Sequence, residues 1–405
     1  MTDVASPAGD SHPDEHDLDL LDGALYAGDP EPTYAWLREN APVYWDATNK
    51  LWGVSRYADI VAIEKDPVTF TSSQGFRPNL PGDTSMIALD DPVHTSRRRL
   101  VSRRFTPRAA SGYEGDVRRV VTDLIDAVAA KGECEVVEEL AAPLPAMMIG
   151  WLLGFEDAEW PSLKHWSETT IPAGGGPRYL RDDIILAAAE FHAAASQLAA
   201  LKRDQPGNDC ITVWTTAEVD GAPLTDDDIV SEALLLLDGG AETTRNVIAA
   251  GIFLLSQHPD QRQLLIDDPS RIPTAVEELI RYVTPILNMR RTATRNVELH
   301  GQLIREGDEV LLMYSSGNRD EAVFDDPQRF DVTRSPNNHI AFGFGTHFCL
   351  GASLARLELR VFFEELLRRL PDIGPAPGIT SPEIVPGAFV RGIRALPAVF
   401  TPESA

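Results

Sequence analysis

Phe342-Gly343-Phe344-Gly345-Thr346-His347-Phe348-Cys349-Leu350-Gly351 carries more information than any other stretch of this 405-residue chain. One cysteine flanked by glycines is followed at once by an amphipathic run, Ala352 to Leu370, which predicts a sulfur at the N-terminus of a helix. The glycines let the backbone come close to a flat group and permit positive φ. A helix N-terminus carries partial positive charge and free N–H groups, so it should lower the thiol pKa and favour the thiolate. A thiolate held this way is a strong axial donor to haem iron. Most isolated cysteines are only small buried hydrophobes; the glycine pattern sets this one apart.

Three further elements carry chemistry. Asp238-Gly239-Gly240-Ala241-Glu242-Thr243-Thr244 interrupts the strongest helical run, Thr225 to His258. Two adjacent glycines in a helix cost about 1 kcal/mol each relative to alanine. Such a cost predicts a helix that opens or lets a ligand approach closely. Glu242 and Thr243, next to the glycines, form an acid–alcohol pair able to pass protons into a dry pocket. The same residues also fit a kinked core helix whose threonines bond back to the preceding turn. Glu278-Leu279-Ile280-Arg281 places a carboxylate and a guanidinium on one helix face, a weak pair if exposed and a strong one if buried in a network. His94 and Arg98 share a face at i,i+4, two donors that suit a carboxylate or a solvated surface equally.

The chain holds three cysteines, Cys134, Cys210 and Cys349, without paired spacing. That sparse, odd set predicts a reducing compartment and no disulfide framework. A formal net charge of −26 disfavours nucleic acid as a partner. No uninterrupted apolar run reaches spanning length, and residues 1–19 lack the basic and apolar regions of a signal peptide. The expectation is a cytoplasmic protein with a mobile acidic tail over 1–19 and one domain over 20–405. Helical periodicity dominates, with short strands near Val43–Trp45, Leu51–Val54, Val297–Leu299 and Val310–Met313. The last two are joined by the turn-like Arg305-Glu306-Gly307-Asp308. Phe70–Leu89 and Pro172–Pro177 read as lids or connectors.

The four motifs, in this order from about Leu20 to Phe400, resemble the cytochrome P450 family of haem-thiolate monooxygenases. The resemblance implies a mainly α fold with a minor β region, a triangular helical prism holding haem b between the long central helix and the Cys-loop helix. It implies Cys349 as axial ligand of the haem iron, with Phe342, Gly343 and Gly351 around the thiolate loop. His94, Arg98, Arg291 and His347 match positions that hold the haem propionates. Glu242 and Thr243 match the acid–alcohol pair of dioxygen activation, with Glu where many bacterial members have Asp. Glu278 and Arg281 match a structural pair whose expected third member is Arg329.

The same resemblance implies O₂ as co-substrate, with electrons from NAD(P)H by way of a ferredoxin reductase and a ferredoxin. The arginines at 97–104 and 356–360 are then expected around the docking face of a monomer. The substrate pocket is expected from Met86, Ile87, Leu235, Asp238, Gly239, Ile286, Leu287, Met289 and Phe389, mostly apolar and suited to a small apolar molecule. Segments such as Asn288-Met289-Arg290-Arg291 look most like actinobacterial enzymes that hydroxylate sterol side chains and branched lipids. A terpenoid or secondary-metabolite substrate, and a non-enzymatic haem sensor or carrier, are the competing readings. Asp238 could meet a substrate hydroxyl or amine, or turn into the helix groove.

Overall fold

In the computed structural model, which describes residues 18–403, the longest helix runs from Asp226 to Gln257 and is buried along most of its length. It starts where the Thr225 side chain accepts the Asp228 N–H and Asp228 reaches back to the Thr225 N–H. This reciprocal cap satisfies two otherwise orphaned donors, and three aspartates in the first turn suit the positive helix end. The helix ends at His258, next to Pro259. It does not open at Gly239-Gly240: the hydrogen-bonded helix is continuous, so those glycines act through the space they leave rather than through a break.

Around this helix pack Glu114–Ala129, Pro143–Leu153, Trp160–Thr170, Asp182–Asp204, Ile272–Val283 and Ala352–Arg369, with an apolar core common to them. Helix 182–204 is long and apolar enough to cross a membrane by length and composition, although no spanning run was expected. Here its Ile184, Ala187, Phe191, Ala195 and Ala199 are buried within the fold. Residues 138–153, helical in their periodicity, are divided. Residues Val137–Ala141 form a wide turn, and Pro143, which cannot donate an N–H, opens the helix that follows. Asp19, assigned to the tail, accepts hydrogen bonds from Arg178 (2.8 Å) and Asn49 (2.7 Å), so the fold begins before residue 20. The rest of the expected tail, 1–17, lies outside the described residues.

The β region is one five-stranded sheet plus short pairs. Its order is Val43–Asp46, Leu51–Val54, Glu309–Met313, Asn288–Ala293, Phe70–Thr71. Strand 288–293 was not anticipated, because its polar and basic residues hide the alternation. It pairs antiparallel with 309–313, and Val297–Leu299 pairs with Gln302–Ile304. Alternation along strand 288–293 sends Met289 and Arg291 into the central cavity and Arg290 to the opposite face. There Arg290 donates to the carbonyls of Arg77 (3.1 Å), Leu80 (2.7 Å) and Gln74 (2.9 Å), fastening the long loop 70–89 over the cavity.

Glu278 and Arg281 are fully buried and bidentate, with both N···O distances 2.8 Å. The third guanidinium at this pair belongs to Arg334, not Arg329. Arg334 Nε donates to both Glu278 oxygens at 3.1 and 3.2 Å, whereas Arg329 is exposed and offers only its carbonyl. The turn through Asp331–Arg334 reverses the chain and carries residue 334 inward, a step that spacing alone does not reveal. Arg334→Ala is therefore expected to cost about 1–3 kcal/mol in urea unfolding, and Arg329→Ala no more than about 0.5 kcal/mol. Equal effects would return the role to Arg329.

Candidate active site

One cavity brings together residues from every motif above. Its proximal side is made by Phe342, Gly343, Cys349, Leu350, Gly351, Leu354 and Ala355, and the central helix supplies Leu235, Asp238, Gly239, Gly240, Thr243 and Thr244. Gly345 holds φ +68° and lies so close to the Glu64 carbonyl that a Cβ would stand 2.4 Å from its oxygen. The loop therefore turns tightly against helix Tyr57–Glu64, and the Cys349 N–H closes it by donating to the Phe342 carbonyl at 2.8 Å. The Arg356 guanidinium stacks over Phe342, 4.7 Å from the ring centre, and is anchored by Glu277.

The Cys349 thiol differs from expectation. Burial pushes its pKa up, against the lowering effect of the Gly351 and Ala352 N–H groups and of Arg98 and Arg356. The helix begins only at Ala352, so its end opposes the desolvation cost without overcoming it. Bound metal would tip the balance, since a coordinating thiol is deprotonated by the ion itself. Cys134 and Cys210 are plain buried thiols, both pushed up to about 12 by burial.

Four donors converge on the cavity rim: His94, Arg98, Arg291 and His347. His94 Nδ1 is 2.8 Å from the Met86 carbonyl, and its ring lies 4.2 Å from that of His347. Arg98 reaches the Phe348 carbonyl at 2.5 Å. Burial pushes the His347 pKa down to about 2, with Arg291, His94 and Arg98 adding repulsion, and its Nε2 has no hydrogen-bond partner among the described residues. Such a set of buried donors calls for anions.

Haem fits this donor set. Gly239 and Gly351 line the cavity, and a Cβ on either would meet no atom within 4 Å, which leaves flat open space on both sides. Cys349 would be the axial ligand, and the four rim donors would take the propionates. No cluster of three His, Cys, Asp or Glu exists among the described residues, so a metal here needs a macrocycle to supply its other ligands.

Glu242 and Thr243, neighbours in sequence, point to different faces of the helix. Thr243 lines the cavity and its hydroxyl donates to the Gly239 carbonyl at 2.8 Å, which leaves its oxygen free to accept from a guest. Glu242 is buried behind it, 2.7 Å from Arg245, and burial pushes its pKa up while Arg245 opposes. From Arg245 ion pairs continue to Glu168 (3.1 Å), Lys164 (2.9 Å) and half-exposed Glu138 (3.0 Å). These form a charged path from the central helix to solvent.

Of the expected pocket residues, Met86, Ile87, Leu235, Asp238, Gly239, Ile286, Met289 and Phe389 line the cavity. Leu287 does not. The chain enters the strand only at Asn288, so Leu287 escapes the alternation that turns Met289 inward, and it packs instead with Leu20, Tyr26, Leu311 and Ala388. Arg77, Glu64 and Glu358 line the cavity and escaped the sequence reading. Glu64 accepts from Tyr314 (2.6 Å) and Arg291 (3.2 Å). The Glu358 Oε2 has no hydrogen-bond partner among the described residues, and burial pushes the carboxyl up to about 8. An acid on the apolar stripe of Leu354, Leu357 and Val361 was the available signal for it.

Comparison with known proteins agrees with this geometry. Residues 272–371 match the cytochrome P450 family model. A steroid C26-monooxygenase of Mycobacterium tuberculosis is 41% identical over 95% of this chain and 98% of its own length. A methyl-branched lipid omega-hydroxylase of Mycobacterium bovis is 37% identical over 95% and 92%. Among solved structures, a Mycobacterium marinum cytochrome P450 in complex with pseudoionone superposes with TM-score 0.87 at 38% identity, covering 93% of this chain and 97% of that one. A cavity floored by Cys349 and roofed by Thr243, together with similarity along almost the whole length, places the chain in the cytochrome P450 family of monooxygenases.

Proposed function

We propose that this protein inserts one oxygen atom of O₂ into a C–H bond of an elongated, branched apolar molecule, a sterol side chain or isoprenoid-type lipid, using electrons from a ferredoxin. The balance is R–H + O₂ + 2e⁻ + 2H⁺ → R–OH + H₂O, and thiolate-bound haem supplies the O₂ chemistry. The observation that carries the substrate class is the lining above the haem position: Phe76, Ile87, Leu235, Ile286, Met289 and Phe389 offer an apolar enclosure. The relatives named for a steroid, a methyl-branched lipid and a complex with pseudoionone support the same class.

In this reading the chain's residues do three things. The apolar wall excludes water and orients the substrate. Loop 70–89, fastened by Arg290, covers it. Thr243 accepts and passes a proton at its hydroxyl oxygen, and Glu242 behind it is the acid that exchanges protons with solvent, held in place by Arg245, which itself passes none. Thr243→Ala is expected to keep substrate binding while product formed per NAD(P)H falls about tenfold and peroxide rises. Unchanged coupling would move the relay elsewhere.

The expected docking face needs redrawing. Arg97 is not available, being paired with Asp228 (2.8 Å) and near buried Glu232 (3.6 Å). Arg356 and Arg360 are held by Glu277, Glu364 and Glu114. Arg99 and Arg103 stand exposed on the helix before Phe105 and its end, and they suit an acidic ferredoxin. Arg99→Glu with Arg103→Glu is expected to slow ferredoxin-dependent reduction at low salt by about tenfold, leaving chemical reduction by dithionite unchanged. Equal rates for both proteins would remove this face.

A further inference from the structure

The cavity wall holds one polar pair that proton delivery does not use. Asp238 is 4% exposed and lies on the central helix; its Oδ1 accepts from the Thr170 hydroxyl at 2.9 Å. Its Oδ2 is 4.0 Å from a guanidinium nitrogen of Arg77, which is carried over the cavity on loop 70–89 and stacks on Phe76 at 4.8 Å. Asp238 Oδ2 and Arg77 Nε have no hydrogen-bond partner among the described residues. The remaining neighbours, Phe76, Ile87, Leu235 and Phe389, are apolar.

A gap of 4.0 Å is too wide for a hydrogen bond. One oxygen placed between the two groups could bond both at about 2.8 Å with an angle of roughly 90° at that oxygen. The chemistry of the guest follows from the pair. A carboxylate would meet Arg77 but be repelled by Asp238, and an amine the reverse. A hydrocarbon would leave both buried polar atoms unsatisfied. A neutral hydroxyl donates to one and accepts from the other. Burial pushes Asp238 up to about 7, with Arg77 and Thr170 opposing.

We infer that Asp238 and Arg77 form a hydroxyl-binding subsite, and that the substrate is an apolar alcohol held by its hydroxyl between them. The inference rests on the lipid monooxygenase reading and narrows it. Asp238 precedes Thr243 by five residues, about 7.5 Å along the helix axis. The oxidised carbon then lies several bonds from the bound hydroxyl. A branched isoprenoid alcohol has that reach, whereas a sterol oxidised at its side chain carries its ring hydroxyl at the far end of the molecule.

The test is a set of spin-state titrations of haem-loaded protein with farnesol, with farnesene, which lacks the hydroxyl, and with palmitate. Farnesol is expected to bind at least about tenfold more tightly than farnesene. Asp238→Leu and Arg77→Leu should each cut that preference to about threefold or less. Arg77→Leu, on a loop, keeps the test open if Asp238→Leu does not load haem. Equal affinities in the unaltered protein, a preference that survives both substitutions, or tighter binding of palmitate would overturn the subsite. Failure of every apolar ligand to shift the spectrum would instead sink the lipid reading, and the subsite with it.

Discussion

A set of hydrogen-bond donors gathered in a cavity without matching acceptors is the constraint on which this structure turns. His94, Arg98, Arg291 and His347 face one largely apolar cavity, and Glu64 is the carboxylate that meets them there. Removing such groups from water costs several kcal/mol each unless an anion joins them. The two carboxylates of a haem would supply what is missing. The cavity also draws its donors from distant parts of the chain: a helix near residue 94, a sheet strand at 291 and the cysteine loop. Binding there ties these segments together and stabilises the folded state by mass action.

The sulfur obeys the same logic. Burial raises the Cys349 thiol more than the neighbouring N–H groups and arginines lower it. Cys349 would give up its proton on binding iron, since a coordinating thiol is deprotonated by the metal. On the other wall, the continuous central helix keeps Thr243 rigidly placed, and Gly239 supplies the room that a helix break was expected to give.

Elements governed by local chemistry were legible in the sequence. The central helix, the Cys-loop helix and the strands at 43–46 and 51–54 follow from periodicity, caps and prolines. The cysteine loop follows from glycines that only a tight turn requires. What escaped depends on tertiary reach. Arg334 displaces Arg329 because a turn reverses the chain between them, and Leu287 turns from the cavity because the strand has not yet begun. Strand 288–293 hid behind polar residues that are buried only because Arg290 grips a loop and Arg291 faces the cavity. Glu242 and Thr243 read as one unit in the sequence, yet they occupy different helix faces with separate surroundings.

The central claim is a bond from Cys349 to haem iron. Purified protein, expressed with haem precursor, reduced with dithionite and exposed to carbon monoxide, tests it most directly. The account predicts a carbonyl absorption of the thiolate-ligated type, lost in Cys349→Ala while the far-ultraviolet circular dichroism stays that of a mainly helical protein. A colourless protein, a carbonyl band of the histidine-ligated type, or a thiolate band that persists in Cys349→Ala would contradict it.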